Sequence, residues 1–92
     1  MQLKTVVEFK TPKNETIAIS YIHATNICTV TIGKVTATST MQKGKTSVNR
    51  SCAIEIQKHE IVIKFYHEFE FCELVGFGQV QTSRTQFEYN KV

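Results

Sequence analysis

Six side chains in this sequence could ligate a metal or act as nucleophile or base: Cys28, Cys52, Cys72, His23, His59 and His67. No C-x-x-C and no H-x-x-x-H links any of them, and structural zinc takes its ligands in close pairs. No metal site is expected. Cys28 and Cys52 each fall on the apolar stripe of their own strand, where a thiol packs as a small hydrophobe. In an exported chain these two could form a disulfide. His67 interrupts an Ile/Phe stripe and reads as a core histidine satisfied by a carbonyl or a water. A bulge at that point would instead turn it towards a pocket or an interface.

Glu68 and Glu70 stand two residues apart on one strand face, about 7 Å from each other. Paired carboxylates hydrolyse glycosides, but Lys64 and Tyr66 share the face, which fits the wet side of a sheet. Tyr66, Glu68 and Glu70 are therefore read as a secondary acidic contact surface. Gly44-Lys45-Thr46 looks like the end of a phosphate-binding loop. The position five residues earlier needs a glycine and holds Ser39, and no helix follows to cradle the phosphates. No cofactor is expected. The chain has no Asp, which removes the usual third member of a catalytic triad, and an enzyme is not expected. Asn14-Glu15-Thr16 and Asn49-Arg50-Ser51 match the glycosylation pattern by chance.

The remaining candidate is electrostatic. From Thr16 to Ile54 there is no acidic residue, while Lys34, Lys43, Lys45 and Arg50 are cationic. From Glu55 to Glu73, five Glu face two Lys. Lys91 and Arg84 against Glu88 leave the C-terminal segment slightly basic. Such polarity steers association and selects partners. Lys34, Lys43, Lys45, Asn49 and Arg50 are the candidate partner-binding residues, the last four within a polar loop spanning Met41 to Arg50.

Strands must position these groups. Nine Val, nine Ile, twelve Thr, six Phe and three Tyr stand against two Leu and four Ala. Branched and aromatic side chains suit a pleated, half-buried surface. Alternation marks strands at 2–10, 17–21, 28–32, 35–40 and 52–56. The longest run covers 61–72, about 40 Å at strand rise, so a bend or bulge is expected within it. The last strand is expected over 79–90. Gly33-Lys34 is a two-residue hairpin signal. No 3.6-residue period and no repeat at 20–50 residues stands out.

About seven short antiparallel strands in 92 residues predict one all-β domain over 1–92, a β-sandwich, with a five-stranded oligonucleotide-binding barrel as the alternative. The immunoglobulin pattern fails for want of Trp, and RNA-recognition aromatic signatures are missing. No apolar stretch reaches signal-peptide or membrane-span length, so a cytoplasmic protein off the membrane is expected. Two functions are carried forward. One is a non-catalytic protein-binding module, an inhibitor or adaptor of the type that viruses and mobile elements encode. The other is a nucleic-acid binder using the 41–50 loop, disfavoured by a pI of only 8.8 and by no aromatic within the loop. The strand at 35–40, with neither charge nor Pro, could join a second copy edge to edge.

Overall fold

Ten strands form in the computed structural model, which describes residues 2–90. They are β1 (Gln2–Lys10), β2 (Thr16–Ile22), β3 (Ile27–Ile32), β4 (Val35–Thr40), β5 (Gln42–Lys43), β6 (Val48–Ile56), β7 (His59–Tyr66), β8 (Phe71–Gly76), β9 (Gln79–Arg84) and β10 (Gln86–Asn90). Lys91 lies outside the described residues. One antiparallel sheet has the order β10-β1-β2-β3-β4, the other β5-β6-β7-β8-β9. The expected sandwich is what forms. The strand number is ten rather than seven because two long runs each break where they pass from one sheet to the other, at Met41 and at Thr85, and because the run 61–72 makes two strands.

Alternation sets which face is buried. Val7, Phe9, Ile17, Ile19, Tyr21, Cys28, Val30 and Ile32 point inward from the first sheet. Cys52, Ile54, Ile56, Ile61, Ile63, Phe65, Cys72 and Leu74 meet them from the second, and Met41 closes the layer. Each fully buried branched side chain contributes about 1.5–3 kcal/mol.

Three expectations are corrected. The supposed loop 41–50 is half strand. Gln42 pairs with Ser51 and Lys43 with Arg50, so only residues 44–47 remain irregular. The run 61–72 is two strands, because the chain reverses at His67–Glu70 and β8 pairs back on β7. His67 therefore sits exposed in a turn rather than in the core, and Tyr66, Glu68 and Glu70 do not share a strand face.

The fold also contains a repeat that the sequence reading does not see. β3, β4, Met41 and the start of β5 recur 44 residues later as β8, β9, Thr85 and the start of β10. Backbone bonds recur too. Met41 N–H donates to the Asn26 carbonyl and Thr85 N–H to that of Glu70, both at 2.9 Å. His23 N–H donates to Leu3 and His67 N–H to Ser47. The last strand of each half pairs with the first strand of the other, β5 with β6 and β10 with β1. At this spacing Ile17, Ile19, His23, Cys28, Thr38, Ser39 and Gln42 match Ile61, Ile63, His67, Cys72, Thr82, Ser83 and Gln86. The two halves are thus related by a pseudo-two-fold running along the strands.

Candidate functional site

Because each turn reverses the chain, while β5 continues β4 and β10 continues β9, alternate turns share an end. The turns at 23–26, 44–47 and 67–70 gather at one end, here the Asn26 end. Those at 11–15, 33–34, 57–58 and 77–78 form the other, the Gly33 end. This parity decides the fate of the candidate residues. Lys43, Lys45, Asn49 and Arg50 come together at the Asn26 end. Lys34 sits at the Gly33 end, away from them.

An aromatic cluster fills the Asn26 end. Tyr21 stacks on Phe69 with ring centres 5.3 Å apart and planes 10° from parallel. His23 meets Tyr21 and Phe69 edge-on at 4.8 and 4.6 Å, and Phe87 at 6.4 Å. The Thr5 hydroxyl is 2.6 Å from His23 Nε2. Burial and then the Arg50 charge hold the His23 pKa below its ordinary 6.5.

Polar side chains lock this cluster from the side of β6. The Tyr21 hydroxyl donates to Asn26 Oδ1, which also accepts Arg50 Nε–H at 3.2 Å. Asn26 Nδ2 donates to the Met41 carbonyl at 2.8 Å, pinning the point where the chain changes sheets. Asn49 Oδ1 accepts the Phe69 N–H at 3.0 Å, and the Thr85 hydroxyl donates to the Phe69 carbonyl. Asn49 and Arg50 are thus half-buried and tied into the fold, whereas Lys43 and Lys45 are exposed.

The pseudo-two-fold exposes an asymmetry. β10 runs on beyond the length of β5, carrying Phe87 opposite Thr5 and Tyr89 opposite Leu3. Their inward side is left uncovered, with Phe87 46% and Tyr89 66% exposed. The positions 44 residues earlier are Lys43 and Lys45. One flank of the Asn26 end is therefore aromatic and the equivalent flank cationic. Sequence reading missed His23, Phe69, Phe87 and Tyr89 as a group, and parity of the strands is the signal that would have joined them.

The other candidates lie elsewhere. Tyr66 projects from the outer face of β7 and donates to Glu73 Oε1 at 3.4 Å. Glu68 and Glu70 are exposed in the turn. Cys28, Cys52 and Cys72 are reduced and buried in the core. The hydrogen bond with Cys52, with burial, holds the Cys28 thiol protonated; burial does the same for Cys72. Among the described residues, no three His, Cys or Glu side chains gather as a metal-binding group, and no helix is long and apolar enough to cross a membrane. No protein-family model, curated protein or solved structure matches the chain.

Proposed function

We propose that this protein is a non-catalytic protein-binding module, acting as an adaptor or inhibitor, and that it binds through the Asn26 end. One observation carries the reading: Phe87 and Tyr89, 46% and 66% exposed, stand on the overhang of β10, at the same end of the sandwich as Lys43 and Lys45 on the opposite edge. Large exposed aromatics are uncommon on a small surface unless something covers them, and Tyr and Phe anchor protein interfaces. The cations on the opposite edge of the same end suit a partner with acidic groups to one side of an apolar patch. A second reading shares the site. Exposed aromatics and lysines on one surface also bind single-stranded nucleic acid, a reading that the lack of an aromatic within the 41–50 segment disfavours.

The test is capture from the source cells with immobilised wild type, F87S/Y89S and K43E/K45E, each with and without nuclease. A protein held by wild type, lost from both variants and indifferent to nuclease is the expected result. A nuclease-sensitive complex whose log K falls with log salt at a slope of about −2 would favour the nucleic-acid reading. Equal capture by all three proteins would remove the Asn26 end as the site.

A further inference from the structure

The sandwich has two seams, related by the pseudo-two-fold, where the sheets part along an unpaired strand edge. At one, the β9 edge runs beside the end of β1. At the other, the β4 edge runs beside β6. The parity of the ladder fixes which backbone groups are free. Met41 N–H bonds the Asn26 carbonyl, so Val35, Ala37 and Ser39 also turn their N–H and C=O towards β3. Thr36, Thr38 and Thr40 turn theirs away, to the seam.

The two seams are not equally guarded. At the β9 seam, Gln81 Nε2 reaches across to the Lys10 carbonyl at 2.9 Å, and Glu8, Lys10 and Arg84 place charges along it. The residue equivalent to Gln81 is Ala37, which has nothing to reach with. From Val35 to Thr40 there is neither charge nor proline, and Val35, Thr36, Thr38 and Thr40 are all exposed. Proteins commonly block a free edge with charge, Pro or a cover; β6 runs beside this edge, but neither charge nor Pro guards it.

We infer that β4 pairs antiparallel with β4 of a second copy through Thr36 and Thr38, joining two five-stranded sheets edge to edge. The strand suits itself as partner. A two-fold axis at Thr38 sets Thr38 against Thr38 and Thr36 against Thr40, with no like charges opposed. Threonine pairs across strands already occur on this face, where Thr31 Oγ1 and Thr36 Oγ1 are 3.2 Å apart. So short an edge buries well under the roughly 1,200–2,000 Å² of a standard interface, so the dimer forms only at high protein concentration.

Sedimentation velocity over a wide concentration range, with residue-resolved amide exchange, tests this. The expected result is a reversible monomer–dimer equilibrium in which the Thr36 and Thr38 amides slow as concentration rises, while Ala37 and Ser39 are protected throughout. Thr38→Pro removes an N–H that β3 does not use and should weaken the dimer at least about tenfold, leaving the β circular dichroism unchanged. Thr38→Lys, which opposes like charges across the axis, gives the same readout should the proline variant unfold. A monomer at every concentration, a dimer indifferent to Thr38→Lys, or Thr36 and Thr38 amides protected independently of concentration would each overturn the inference.

Discussion

Glycine should stabilise this protein at a position where alanine does not. In the turn between β7 and β8, His67, Glu68 and Phe69 have φ of 53°, 55° and 68°. An L-residue in the left-handed region costs roughly 1–2 kcal/mol, and glycine escapes that cost. Glycine loses about 0.5–1 kcal/mol in return through greater freedom of the unfolded chain. Glu68 is exposed and makes no side-chain hydrogen bond or ion pair in the structure. Glu68→Ala keeps the strained backbone and should change stability by under about 0.5 kcal/mol. Glu68→Gly relieves it and should gain about 0.5–1 kcal/mol. Phe69 adds a ring held against Tyr21, Phe65 and His23. Losing it should cost about 2–4 kcal/mol, less than for a fully buried Phe because the residue is half-buried. Phe69→Gly should then be no worse than Phe69→Ala. An exposed strand position gives the control, since Glu55→Gly in β6 should fall about 1 kcal/mol below Glu55→Ala. Urea unfolding with a constant m-value reads all six variants. If Glu68→Gly destabilises as Glu55→Gly does, the backbone at 67–69 is right-handed and the turn is wrongly described.

Three further outcomes are expected. His23 has a folded pKa below its unfolded value, so its contribution to stability is complete above pH 6.5 and is lost as pH falls towards the folded value. Thermal midpoints of wild type and His23→Asn should converge as pH drops, and Arg50→Gln should raise the His23 pKa in an NMR titration. Cys28 and Cys72 should resist a thiol reagent until the protein unfolds, and Cys28→Ser, which buries a hydroxyl, should be less stable than Cys28→Ala by denaturant titration. An alanine methyl at Gly76 would lie 2.4 Å from Ile61 Cγ2, and one at Gly44 2.2 Å from the Val48 carbonyl oxygen. Both Gly→Ala variants should lose about 1–3 kcal/mol by the same assay.

The first four strands and β6 were legible because one face of each is apolar and polar turn residues bound them. The β7–β8 turn was not, since it holds none of the Gly, Asn or Pro that usually signals a reversal. Phe at 65, 69 and 71 carries the alternation straight through it, although the buried parity changes from Ile61, Ile63 and Phe65 to Cys72 and Leu74. The turn at Gln57 and Lys58, both at positive φ, uses equally unmarked residues and shifted the expected start of β7. The polar segment 41–50 hid a strand pair because β5 is two residues long and both are exposed, which leaves no alternation to read. The 44-residue repeat escaped notice because inward positions keep only size and apolarity, as in Tyr21 and Phe65 or Val30 and Leu74. The matching hairpins also use different chemistry, Gly33-Lys34 against Phe77-Gly78.

That pattern of likeness and difference bears on where function resides. The equivalent inward positions resemble each other because both halves must fill one interior to close packing. Nothing in that demand reaches the Asn26 end, where equivalent positions hold different chemistry: Lys43 and Phe87, Lys45 and Tyr89, Asn26 and Glu70, Thr25 and Phe69. Some of these differences serve the fold. Asn26 joins Tyr21 to Arg50, and Phe69 caps the core. Phe87 and Tyr89 are 46% and 66% exposed, and Lys43 and Lys45 lie in solvent, so burial does not account for these four. A near-symmetric scaffold needs no aromatic flank at one edge and no cationic flank at the other. The partner proposed for the Asn26 end, apolar on one side and acidic on the other, would use both flanks.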